Sequence, residues 1–113
     1  MNVNEYFEEL QRFGEDITNQ QEFSALLSFC SSLANEERLK IIKSLKKKEY
    51  CVCELEAILN KAQSTISHHL RELEKVGLIK GWRKGKFTHY QLIPEEINRY
   101  LKVLSNELDL RSD

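Results

Sequence analysis

Apolar residues fall at helical intervals from near the start of the chain. Tyr6, Phe7, Leu10 and Phe13 share one side of residues 3–13, which predicts an amphipathic helix. Residues 14–19, opening on Gly14, are expected to break it. The stripe Phe23, Leu26, Leu27, Cys30 and Leu33 predicts a second helix over about residues 21–33, with the Cys30 thiol among core side chains. Asn35 suits an N-cap, and Glu36 and Glu37 stand where the positive end of a helix dipole favours acids. Leu39, Ile41, Ile42 and Leu45 carry this third helix to the basic run Lys46, Lys47 and Lys48.

The pattern then shortens. Tyr50, Cys51 and Val52 form a β-prone stretch, and a helix over about residues 53–59 points Leu55, Ile58 and Leu59 inward. Asn60 and Lys61 make a turn. The next helix, over residues 63–76, buries Ile66, His69, Leu70 and Leu73 and leaves Gln63, Ser64, Thr65, Ser67, His68 and Arg71 facing outward. Gly77 stops it. Residues 78–82 and 87–93 read as two strands around Arg83-Lys84-Gly85-Lys86, with glycine where a tight turn needs positive φ. Pro94, followed by Glu95 and Glu96, opens a last helix reaching about residue 110, with Ile97, Tyr100, Leu101, Leu104 and Leu108 on its apolar side. The order α-α-α-(β)-α-α-β-β-α is mainly α with a small β-hairpin, a winged helix-turn-helix.

At 113 residues the chain is expected to form a single domain over 1–113, with extra burial supplied by a second copy, because small domains bury a limited share of their surface. A hydrophobic share of 41% and a charged share of 31% suit a soluble globular protein. No apolar run approaches the roughly 18 to 20 residues that cross a bilayer, and the first residues are acidic where a secretory signal is basic and then apolar; a cytoplasmic location is expected. Three cysteines, two of them in Cys51-Val52-Cys53, make a poor disulfide framework. A Gly-rich phosphate loop, an H-E-x-x-H pair and a nucleophile turn are all missing, which argues against an enzyme.

The net charge of -1 argues against nucleic acid until its distribution is considered. Residues 61–86 carry seven Lys or Arg against two Glu, while the segments on either side are net acidic. A basic centre in an acidic frame is the footprint of one DNA-facing surface. The major groove admits an α-helix whose first turns carry short donors and acceptors; Gln63, Ser64, Thr65 and Ser67 supply them, and His68 and Arg71 extend the reach. Arg83, Lys84 and Lys86 at the hairpin tip add phosphate contacts, each steepening the log-log salt dependence of affinity by about 0.9. A winged helix that docks proteins instead of DNA is the competing class, disfavoured by the basic centre and the short polar side chains.

Three stretches resemble the ArsR/SmtB family of metal- and metalloid-responsive winged-helix repressors: Leu33-Ala34-Asn35-Glu36-Glu37-Arg38-Leu39 with Ile41, then Tyr50-Cys51-Val52-Cys53-Glu54-Leu55, then Gln63-Ser64-Thr65-Ile66-Ser67-His68-His69-Leu70 running through Leu73, Gly77 and Leu78. The resemblance implies a homodimer whose N-terminal helices (about 1–33) and C-terminal helix (about 94–110) pack between protomers. Two recognition helices, about 34 to 36 Å apart, would then face an imperfect palindrome in double-stranded DNA. Where family members usually have Ser before the recognition helix, this chain has Ala62, which forgoes a cap of about 1 kcal/mol.

A C-x-C pair puts both thiols on one side of extended backbone, whereas on a regular helix they diverge by roughly 200°, so chelation favours a strand-to-helix junction. A helix start also lowers a thiol pKa towards the metal-binding thiolate. In the resembled family this position is a thiolate-rich inducer site, which implies As(III), Cd(II), Zn(II) or another thiophilic ion at Cys51 and Cys53. Such ions want three or four ligands; the position three after Cys53 is Glu56, and Cys30, on its apolar stripe, reads as a structural thiol ahead of a third ligand. His69 and His89 read as packed histidines, and residues 94–113 contain no His for a ligand set on the last helix. Thiol oxidation at Cys51 and Cys53, or no ligand response, are the alternatives.

Overall fold

The structure, a computed structural model, describes residues 1–109. Six helices and three strands follow one another as α1 Val3–Thr18, α2 Phe23–Leu33, α3 Glu36–Lys47, β1 Tyr50–Cys51, α4 Val52–Leu59, α5 Gln63–Lys75, β2 Ile79–Lys84, β3 Phe87–Leu92 and α6 Pro94–Glu107. The expected end of the last helix, residue 110, lies outside the described residues. β3 runs between the other two strands in an antiparallel sheet ordered β1-β3-β2, with Tyr50 opposite Tyr90, Cys51 opposite His89 and Trp82 also opposite His89.

One core joins α2 to α6 through Phe29, Ile41, Leu45, Leu55, Leu59, Ile66, Leu70, Leu73, Leu78, Ile79 and Tyr100. Phe29 stacks on Tyr100 with ring centroids 4.7 Å apart, tying α2 to α6. α3 begins as its sequence predicts: the Asn35 side chain accepts from the Arg38 N–H, Glu36 and Glu37 occupy the first turn, and Lys46 and Lys47 the last.

Several expectations are corrected. α1 does not break at Gly14 but runs on to Thr18, because one exposed helical glycine costs only about 1 kcal/mol and the following residues keep the ladder, with Asn19 N–H reaching the Glu15 carbonyl. α1 has no buried residue, so its apolar stripe is uncovered in the protomer. α2 is turned away from the expected stripe: Phe29 and Ser32 are buried, while Leu27 is 60% exposed and Cys30 is exposed. The segment FSALLSFCSSL is apolar on more than one side, so periodicity does not fix its phase. Ile58, expected inward, is 46% exposed beside Leu55 and Leu59, which fill the core. Leu39, Leu101 and Leu108 are also exposed. The first wing strand starts one residue late and runs two further, through Arg83 and Lys84.

Candidate DNA interface and the adjoining thiol pair

The recognition helix α5 is fixed at both ends by backbone geometry. Before it, Asn60 takes the left-handed conformation at φ 53°; its N–H reaches the Ala57 carbonyl and the Lys61 N–H reaches that of Glu56, closing α4 so that α5 departs at once. Ala62 supplies no side-chain cap, and neither Asn60 nor Ser64 replaces it; the helix nevertheless starts at Gln63. At the far end Gly77, at φ 76°, donates to Glu74 and Leu78 to Leu73, the two bonds of a Schellman ending. Leu73 and Leu78 are both fully buried, so the cap is sealed within the core.

The inner face of α5 matches the sequence expectation: Ile66, His69, Leu70 and Leu73 are its buried residues. His69 is the polar one among them. Its Nε2 meets the Glu37 carboxylate and its Nδ1 accepts from Arg38 at 3.2 Å. Arg38 also donates through Nε to the Ser32 carbonyl at 2.6 Å, and Lys61 pairs with Glu37 at 3.4 Å. The hydrogen bond from His69, seconded by Lys61, holds the Glu37 carboxyl below its ordinary value. One polar knot thus ties the end of α2, the start of α3, the helix-turn-helix turn and the recognition helix.

On the outer side, Gln63, Ser64, His68 and Arg71 are exposed and Thr65 and Ser67 half-buried. The hydrogen bonds and ion pairs of the His69 knot are made without these six side chains. Lys84 pairs with Phe87 across the sheet, leaving Gly85 and Lys86 as a two-residue turn. Gly85 alone there has positive φ, 64°, the primed turn whose twist suits a hairpin. Arg83, Lys84 and Lys86 are all exposed around it.

Cys51 and Cys53 lie at the strand-to-helix junction. Cys51 is the extended N-cap of α4, at φ -83° and ψ 168°, and shares a reciprocal capping box with Glu54, whose carboxylate accepts from the Cys51 N–H at 2.9 Å. The expected lowering of the thiol pKa is not what the site produces for Cys51: burial raises it and outweighs the Glu54 amide, which pulls it down. Cys53 is exposed. It lines a cleft of about 220 Å³ together with Gln63, Arg83 and Lys86, so the Cys53 thiol borders residues from both parts of the expected DNA surface. Cys30 belongs to exposed α2 surface and not to this site.

The sequence does not mark the partners of the knot. Glu37 and Arg38 read as a helix start and Lys61 as a turn residue, and spacing gives no sign that Glu37 and Arg38 converge on His69 from 32 and 31 residues away. His89, which reads as a packed histidine, stacks its ring on Trp82 at 5.8 Å, yet its buried Nδ1 has no hydrogen-bond partner.

Residues 35–80, from the cap of α3 to the start of the wing, match the family model described as bacterial regulatory protein, arsR family. The arsenical resistance operon repressor of Bacillus subtilis is 38% identical over 78 residues, which cover 68% of this chain and 71% of that protein. The chain belongs to the arsR family. A cadmium resistance transcriptional regulatory protein, CadC, of Listeria innocua is 38% identical over 63 residues, covering 55% of this chain but only 53% of that protein. Among solved structures, a homodimeric winged helix-turn-helix DNA-binding domain from Mycobacterium bovis shares the fold with a TM-score of 0.66 at 23% identity, covering 81% of this chain and 85% of that one. The ArsR-family protein is therefore a regulator and not an enzyme, and its architecture is the winged helix-turn-helix. No helix among the described residues is long and apolar enough to cross a membrane.

Proposed function

We propose that this ArsR-family protein is a cytoplasmic, homodimeric transcriptional repressor that reads an imperfect palindrome through Gln63, Ser64, Thr65, Ser67, His68 and Arg71, and grips the flanking phosphates through Arg83, Lys84 and Lys86. The observation that carries this is the division of α5: a buried face locked by Leu73, Leu78 and the His69 knot, and an opposite face of exposed or half-buried short polar side chains beside a basic turn. The uncovered apolar side of α1, with Tyr6 51%, Phe7 56% and Phe13 64% exposed, supports dimerisation through the N-terminal helices, and exposed Leu101 of the last helix and Leu108 at its end support its share.

Release is assigned to a thiophilic ion, As(III), Cd(II) or Zn(II), at Cys51 and Cys53. The names of the Bacillus and Listeria relatives, for arsenical and cadmium resistance, favour that class. The donors fit it: two thiols two residues apart, one buried and one exposed, at the strand-to-helix junction. Drawing the Cys51 sulfur away from the Glu54 amide uncaps α4, the helix that sets the turn before α5. Couplings of this kind run to about 1–3 kcal/mol and are reciprocal, so DNA should weaken ion binding equally.

The test is selection from a random duplex pool followed by gel shift at several salt concentrations. An enriched palindrome and a steep fall in affinity with salt are expected; salt-independent binding without sequence preference defeats the repressor reading.

A further inference from the structure

Two cysteines leave the ion short of ligands, and the fold brings up a third candidate that spacing along the chain does not reveal. Cys51 and His89 are direct partners across β1 and β3. Residues opposite each other in an antiparallel pair project from the same face with Cβ atoms about 4.5–5.5 Å apart, so the imidazole rises beside the buried thiol. The His89 Nδ1 is buried and unpartnered. A buried polar nitrogen left unsatisfied is costly, and each such group in a folded protein calls for a reason.

We propose that His89 Nδ1 is the third ligand of the Cys51–Cys53 site, resting on the assignment of ion sensing to that pair. Among the described residues no three His, Cys, Asp or Glu side chains already converge in ion-holding geometry. The site is therefore completed by rotation of the imidazole towards the thiols. Binding releases the two thiol protons, takes the imidazole neutral through a lone pair, and leaves a fourth position to water. Two sulfurs and one imidazole form the donor set of tetrahedral Zn(II) or Cd(II), whereas As(III) takes thiolates alone. The site accordingly favours the divalent ions.

The rotation has a consequence at the wing. On its other side His89 faces Trp82, directly opposite on β2 and stacked on the ring. Turning the imidazole undoes that stack one residue before Arg83, so the ion state is passed to the basic turn along the row Cys51–His89–Trp82. Trp82 is the single tryptophan of the chain, so its fluorescence reports the step alone.

The experiment titrates the reduced, full-length protein with Cd(II) against a competing chelator, following thiolate-to-metal absorbance and Trp82 emission. It compares wild type with His89→Phe, which keeps a ring against Trp82, with His89→Gln as a second variant in case Phe impairs folding, and with Cys51→Ser/Cys53→Ser. Weakening of Cd(II) affinity by at least about tenfold in the His89 variants, with a wild-type emission change that they lack and an As(III) affinity that they retain, is the expected result. Unchanged Cd(II) affinity and emission response in a folded His89 variant overturns the third ligand while the thiol assignment stands. Unchanged Cd(II) binding in the double serine variant overturns the thiol site itself.

Discussion

His69 Nε2, on the inner face of α5, donates to the carboxylate of Glu37 in the first turn of α3. Because Arg38 donates to the opposite ring nitrogen, the proton belongs on Nε2 and the ring is held from both ends. His69→Ala should lower stability by about 1–3 kcal/mol, the usual cost of stranding the partners of a buried hydrogen bond, read as a lower Tm at fixed protein concentration.

The same pair sets an acid limb. The Glu37 carboxyl titrates below its ordinary value, chiefly because of the bond to His69. A depressed carboxyl stabilises the fold above its unfolded pKa and loses that contribution as pH falls through the folded value. Glu37→Gln should therefore be less stable than wild type near neutrality, with the two curves converging below about pH 4. Urea midpoints measured across that range decide it; a constant gap at all pH values would show that Glu37 contributes packing rather than charge.

Two glycines should respond oppositely to alanine. Gly77 sits at φ 76° in the cap that ends α5, and an L side chain in that region costs roughly 1–2 kcal/mol. Gly14 lies inside α1 with nothing within 4 Å of an added Cβ, where alanine gains up to about 1 kcal/mol of helix propensity. Thermal unfolding should move down for Gly77→Ala and up for Gly14→Ala. A fall for the second would show that a partner subunit approaches α1 at that point.

Much of this fold is legible where local chemistry and tertiary packing agree. The α5 pattern of Ile66, His69, Leu70 and Leu73 spans a single apolar face with a glycine stop, and the structure keeps all four inside. The cap of α3 and the hairpin glycine are readable for the same reason: each meets its need within a few residues. What misleads is α2, apolar on several sides, where Phe29 takes the core position through its stack on Tyr100 of the distant α6. The pairing of Cys51 with His89 is hidden likewise, since strand register is long-range and a two-residue strand carries no alternation to reveal it.

The wing tip allows a quantitative check that is independent of any particular operator. If Arg83, Lys84 and Lys86 each touch one phosphate, replacing all three with alanine should reduce the salt slope of binding by up to about 3 per protomer, for specific and random duplex alike. Ser64→Ala and His68→Ala should instead leave the slope alone and narrow the gap between specific and random DNA, by about 1–3 kcal/mol for each base edge that goes unread.

Dimer formation gives the last prediction, because α1 contributes no buried residue to its own protomer. Phe7 and Leu10 are 56% and 44% exposed on its apolar side, and covering such side chains is worth about 1.5–3 kcal/mol each. Phe7→Glu/Leu10→Glu should sediment as a folded monomer with its circular dichroism largely intact, since the core of the protomer is untouched. With one recognition helix in place of two, its preference for a palindrome should collapse while its weak, salt-sensitive affinity for any duplex persists. A variant that still sediments as a dimer would mean that the protomers meet elsewhere, with Leu101 of α6 and Leu108 just after it, which are also exposed, as the next surface to alter.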